Sequence, residues 1–238
     1  MFDLIVEKGE VVDGGGTKKK FRADVGIVGD KIDAVGDLSK AEAKARLDAA
    51  GCVVTPGFID AHSHSDIHVL INPNAESKLH QGITSEVVGN CGWSAFPMKG
   101  AFRDREQEDW KPYDYEVKWA GVKEYLKLFD KAKPSINLAS FVGQGNVRGA
   151  VMGFSPDRPS KDQQRAMERE VEEAMEAGAI GLSTGLIYTP GFFASTDEIV
   201  GLAKVVKKHG GMYSSHIRSE GDQLEEAVDE ALSWGARR

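Results

Sequence analysis

The chain has 238 residues, 41% of them hydrophobic and 28% charged, with a formal net charge of -7. This composition suits a folded globular protein, excludes a disordered one and gives a nucleic-acid partner no electrostatic support. No apolar window reaches membrane-spanning length, the start Met1-Phe2-Asp3-Leu4-Ile5-Val6 has no signal-peptide pattern, and two cysteines make no disulfide framework. A cytoplasmic protein without membrane contact is therefore expected.

Residues 1–52 read as a small β-sandwich segment. Leu4-Ile5-Val6, Glu10-Val11-Val12, 23–28 and 31–35 are short β-branched runs, separated by turn signals such as Gly14-Gly15-Gly16 and Gly29-Asp30-Lys31. A brief helix is expected over 39–46, and Cys52 reads as core packing. From residue 53 the pattern changes. Strands at 52–60, 83–89, 135–142, 179–184 and 211–216 alternate with helices at 74–81, 121–132, 160–177, 195–209 and 221–234. Alternation of this kind specifies parallel βαβ units. The class is α/β, with 53–238 forming about five of the eight units of a (β/α) barrel of the TIM, metal-dependent hydrolase type; a doubly wound sheet is the other arrangement that fits. The clearest helix is 160–177, with Ser160 as N-cap, Gln163 at the capping-box position and Gly178 at its end. Residues 98–120, with Trp110, Tyr113, Tyr115 and Trp119, read as a long loop or lid.

His62 and His64 lie two residues apart at the end of strand 52–60, and the alternation of side chains turns both to one side. Asn90-Cys91-Gly92 ends the next strand, and His216 ends the fifth. Barrel strands end on one rim. His62, His64, Cys91 and His216 are therefore candidate metal ligands. Neutral imidazole and thiolate favour Zn²⁺. A zinc with an open position lowers the pKa of bound water toward about 7 and yields a hydroxide nucleophile. Asp66 is a candidate to orient one of the histidines. His68, His80 and His209 read as peripheral.

Four segments carry a family resemblance. They are Val54-Thr55-Pro56-Gly57-Phe58-Ile59-Asp60-Ala61-His62-Ser63-His64-Ser65-Asp66, Gly89-Asn90-Cys91-Gly92, Gly185-Leu186-Ile187-Tyr188-Thr189-Pro190-Gly191 and Ser215-His216-Ile217-Arg218-Ser219-Glu220. Across essentially its whole length the chain resembles the N-acyl-D-amino-acid deacylases (D-aminoacylases) of the amidohydrolase superfamily. The resemblance implies zinc-dependent hydrolysis of the amide bond of N-acyl-D-amino acids by metal-bound hydroxide. It implies a tight zinc on Cys91 and His216 and a second, weaker position at His62 and His64. It also implies that Tyr188 helps hold the substrate near its scissile amide. Arg218 is a candidate to meet the substrate carboxylate through bidentate hydrogen bonds, or else to pair with Glu220 or Asp222.

Gln144 stands where family members often have a histidine. A further histidine ligand and the catalytic aspartate belong to later strands of the family. Glu220 is left as the local substitute for that carboxylate. Five strands leave two open edges, so the chain is expected to be part of a larger whole: a second polypeptide supplies the remainder, the chain is a fragment, or an oligomer covers the edges. Two other readings fit less of the sequence. A cyclic-amide hydrolase of the dihydroorotase or hydantoinase kind calls for a carboxylated lysine at the end of a middle strand, and neither 135–142 nor 179–184 ends in one. A non-catalytic half-barrel would act only as a subunit.

Overall fold

The computed structural model describes residues 1–16 and 19–236, with side chains described up to residue 233. The chain divides into two compact units, Met1–Gly57 and Phe58–Arg238. Among the described residues, no helix is long and apolar enough to cross a membrane.

The first unit is one mixed sheet built around β1 (Phe2–Val11). β2 (Phe21–Val28) pairs with it antiparallel, and β3 (Lys31–Gly36) pairs antiparallel with β2. On its other side β1 takes β4 (Ala43–Asp48) and then the short β5 (Val53–Val54), both parallel. Ile5, Val11 and Val25 are buried, so this sheet has a small apolar core of its own. The helix expected over 39–46 is instead largely β4. Its Ala, Lys and Arg residues favour a helix locally, but β1 offers a full row of backbone partners from Phe2 to Glu7, and pairing overrides propensity. Cys52 is exposed rather than in the core.

The second unit runs β6 (Phe58–Asp60), α1 (His68–Ile71), α2 (Glu76–Leu79), β7 (Ile83–Val88), α3 (Gly100–Trp110), α4 (Val122–Ala132) and β8 (Asn137–Gly143). It continues with α5 (Gln144–Met152), α6 (Lys161–Glu176), β9 (Gly181–Gly185), α7 (Thr196–Lys208), β10 (Met212–His216) and α8 (Leu224–Ala236). The sheet order is β10-β9-β8-β7-β6, and every pair is parallel. Sequential parallel order places all five strand C-termini along one side of the sheet. β9 is buried at every residue. Val142, Val147, Met167, Val171, Leu182 and Leu202 join the strands to the covering helices in the main apolar cluster.

Three expectations are corrected here, and one helix is added. The strand 52–60 is interrupted at Thr55-Pro56-Gly57, because Pro56 has no amide to give to a ladder; β5 and β6 belong to different sheets. The helix over 74–81 keeps only the single turn α2, and α1 precedes it. The lid over 98–120 is structured. α3 fills its first half, and Phe102, Trp110 and Trp119 are buried, with the Trp119 indole donating to the Ala95 carbonyl at 2.5 Å. Finally, α5 follows β8 directly. Its inward residues Gln144, Asn146 and Arg148 are polar, so the sequence lacks the apolar stripe that marks a helix. The capping box of α6 forms as expected, with Gln163 N donating to Ser160 Oγ at 3.2 Å and Ser160 N to Gln163 Oε1 at 2.8 Å.

Candidate metal centre

β6 ends at Asp60, and the chain then turns so that His62 and His64 stand side by side, their ring centroids 5.3 Å apart. β7 ends at Val88, and the loop Gly89–Gly92 brings Cys91 to them. Its Sγ lies 3.3 Å from His62 Nε2. One ligand atom from each of His62, His64 and Cys91 falls within 4.8 Å of the others.

The loop is forced into this position by close packing. Gly89, Cys91 and Gly92 all have positive φ, and for Cys91 that value of 55° is a conformation non-glycine residues rarely take. A Cβ on Gly185 would lie 1.9 Å from the Cys91 carbonyl oxygen, and one on Gly92 would lie 2.5 Å from Gly185 N. Only glycine permits β9 and this loop to approach so closely. Hydrogen bonds fix the contact. Gly92 N donates to Ser183 Oγ at 3.0 Å, Gly145 N donates to the Gly92 carbonyl at 2.8 Å, and Ser183 Oγ donates to the Gly89 carbonyl. The Asn90 amide donates to the carbonyls of Val87 (2.9 Å) and Ser63 (3.3 Å), tying the cysteine loop to the histidine segment.

The electrostatics suit a cation. Burial, with the charges of His62 and His216 behind it, holds the His64 imidazole below its ordinary pKa, which keeps a lone pair free. Burial first, and then the Glu220 carboxylate, push the Cys91 thiol up. A thiolate here would therefore need a positive partner. Two imidazoles and one thiol converging within 4.8 Å are a donor set that could hold a zinc ion.

His216 closes β10 near this cluster without joining it. Its ring stacks edge-on against Tyr188, 4.9 Å between centroids, and its Nε2 is 3.2 Å from Glu220 Oε1. Tyr188 lines a cavity of about 260 Å³ whose other walls include His64, Cys91, Trp93, Phe102 and Glu106. Arg218 is placed elsewhere. It donates to Glu230 through Nε at 2.9 Å, and to the carbonyls of Phe192 (2.7 Å) and Ala194 (3.0 Å). Its carboxylate partner is thus Glu230 rather than Glu220 or Asp222. Asp66 is fully buried behind the histidine segment, and its carboxyl faces the backbone of Gly89 and Ala95 rather than a histidine ring, so it does not orient a histidine. Burial pushes it up to about 8.

Gln144 is buried as well. Its amide donates to Glu198 Oε1 at 3.1 Å, and Glu198 forms a fully buried ion pair with Arg148. The cavity wall from α3 was missed by sequence reasoning, because Phe102 and Glu106 sit in a helix of mixed polarity. Trp93 carried a signal, since it follows the Cys91-Gly92 pair immediately.

Residues 46–234 match the amidohydrolase family. The chain belongs to the amidohydrolase family. The motif resemblance to that superfamily is thus borne out. Over 235 residues, 99% of the chain, it is 46% identical to the N-acyl-D-glutamate deacylase of Alcaligenes xylosoxydans xylosoxydans, covering 48% of that protein. A crystal structure of N-acyl-D-glutamate deacylase from Bordetella bronchiseptica, complexed with zinc and a phosphonate mimic of the tetrahedral intermediate, superposes with a TM-score of 0.89 at 38% identity; the match covers 98% of this chain and 49% of that one. A D-aminoacylase studied for its binuclear metal centre gives a TM-score of 0.90 at 38% identity, covering 99% of this chain and 49% of the other. This amidohydrolase chain therefore spans about half the length of the relatives it matches.

Proposed function

We propose that the chain carries the zinc-binding part of a hydrolase that cleaves the amide bond of N-acyl-D-amino acids, small molecules rather than nucleic acids or membranes. The observation that carries this reading is the convergence of His62, His64 and Cys91 within 4.8 Å, with His64 and Cys91 lining one cavity together with Tyr188. The fit to zinc rests on the chemistry of those donors. His216, one side chain away, is the candidate for a further ligand, and whether it turns toward Cys91 decides between one tight ion and an additional weak one. Zinc bound there would polarise the amide carbonyl and make water a nucleophile near neutral pH.

The chain's own residues supply the rest. The Tyr188 phenol donates a hydrogen bond to the carbonyl oxygen as negative charge gathers on it. The apolar faces of Trp93 and Phe102 exclude bulk water from the cavity. Water adds to the carbonyl carbon, the C–N bond breaks, and the water's proton goes to the leaving amine, giving a carboxylate and a free D-amino acid. The carboxylate that carries this proton is the aspartate implied by the family resemblance, supplied by later strands. Glu220, which is exposed and held by His216, is the local substitute. The five parallel strands are read as part of an eight-stranded (β/α) barrel, preceded by a β-sandwich segment, and the strands that pair with β6 and β10 come from a second polypeptide or a further part of the protein. Free Cys52 and a thiolate ligand at Cys91 suit a reducing, cytoplasmic setting.

The test is Cys91→Ala. The wild-type chain should retain zinc through gel filtration, and the variant should lose the tightly held ion. Hydrolysis of N-acetyl-D-glutamate and N-acetyl-D-methionine, assayed with their L-enantiomers, should disappear with it. Zinc retention and turnover both surviving the substitution would refute the ligand assignment.

A further inference from the structure

The histidine segment is bordered by an ion network that the reaction itself does not use. Lys78 projects from α2 toward the end of β6. Its Nζ donates to Asp60 Oδ2 at 2.7 Å and to Ser63 Oγ at 3.4 Å, and it meets Glu86 Oε1 at 2.6 Å. Glu86 lies on β7, directly across the ladder from Asp60, and its side chain is fully buried. Its second oxygen accepts the Ser65 hydroxyl, and Ser63 Oγ in turn donates to Ser65 Oγ at 3.2 Å. Asp60 Oδ1 accepts the backbone amide of His62 at 3.2 Å.

One ammonium therefore fixes three residues of a six-residue segment. Asp60 and Ser63 are bound to it directly, and Ser65 through Glu86. His62 and His64 alternate with these anchors. The arrangement is out of proportion to what α2 needs, since α2 is one turn long and buries none of its residues. A buried carboxylate such as Glu86 demands a cation. That cation could have come from any neighbouring element, yet it is shared with the residue that caps His62.

We infer that Lys78 is a positioning residue for the metal centre, holding Asp60, Ser63 and Glu86 so that the His62 and His64 rings converge on one ion. The inference rests on the proposed zinc site. It predicts that removing the ammonium weakens zinc binding without removing any ligand. Partners of this outer kind are typically worth about 10- to 100-fold in metal affinity.

The experiment is zinc titration against a chromophoric chelator, together with the visible spectrum of the Co²⁺ form, for the wild-type chain and two variants. Lys78→Met leaves Glu86 buried without a cation and is at risk of unfolding. The double variant Lys78→Met/Glu86→Gln removes that uncompensated charge while keeping an acceptor for Ser65. Near-UV circular dichroism reports whether it folds. The expected result is a folded double variant with a zinc Kd about 10- to 100-fold weaker and a shifted Co²⁺ spectrum. A folded double variant with wild-type Kd and spectrum would overturn the inference while leaving the zinc site standing; Lys78 would then merely neutralise Glu86. A wild-type chain that binds no zinc would overturn both.

Discussion

At the scale of single residues, a buried polar network lies close to the loop that carries Tyr188. Arg148 and Glu198 have no exposed side-chain surface, and the guanidinium also donates to the carbonyls of Ser155 (3.0 Å) and Asp157 (2.7 Å). Gln144 shares the same carboxylate, and this places the network directly under the loop that carries Tyr188. Breaking one partner of a buried pair strands the other charge, which costs about 3–5 kcal/mol, whereas removing both charges costs much less. Arg148→Met should therefore destabilise the chain by about that amount. Arg148→Met/Glu198→Gln, which keeps an acceptor for Gln144, should be the more stable of the two in urea denaturation. A double variant no more stable than the single one would mean that the pair's charge is not what the site depends on. The sequence revealed the candidate ligands and hid this layer for a physical reason. His62, His64 and Cys91 follow the ends of β6 and β7, where sequence spacing points to them, but a buried Arg, Glu or Gln looks like any surface residue until its partner, 50 or 54 positions away, is seen beside it.

Elements were legible where local signals and tertiary packing agree. α6 has its capping box and its apolar stripe, and the five parallel strands are marked by their regular alternation with helices along the chain. Legibility failed where packing supplied what the sequence lacked. β4 is strand only because β1 pairs with it, α5 turns polar residues inward, and α3 reads as lid because just Phe102, Glu106 and Trp110 of its residues are buried. That α3 burial has a consequence for pH. Burial pushes the Glu106 carboxyl up, chiefly by desolvation. The native state then binds a proton that the unfolded chain has already released. Native protons exceed unfolded protons from the ordinary carboxylate range upward, so stability falls as pH rises through that window. Glu106→Gln should flatten the fall of Tm as pH rises above the ordinary carboxylate range and raise Tm at the upper end. Thermal unfolding across that range checks it, and a parallel pair of curves would show that Glu106 is ionised at no cost.

At the scale of the whole second unit, the decisive feature is that its sheet is open on both sides. β6 pairs only with β7 and β10 only with β9 among the described residues, and Phe58, Ile59 and Met212 on those edge strands are more than half exposed. An edge with free amides, free carbonyls and bare apolar side chains is a template for another strand. Relatives about twice as long have further chain available to fill these edges. The chain by itself should consequently associate as its concentration rises, through β6 and β10 rather than through its helical face. Sedimentation velocity over a concentration series measures this directly. A lysine at an edge opposes strand pairing, so Met212→Lys should shift association to higher concentration while leaving zinc retention intact, because Met212 begins β10 and His216, the site residue, ends it. A polypeptide corresponding to the second half of the Alcaligenes deacylase, added in excess, should suppress self-association by occupying the same edges. If the chain instead stays monomeric at every concentration and Met212→Lys changes nothing, the edges are closed by the chain itself, and the proposal that outside strands complete the barrel fails with them.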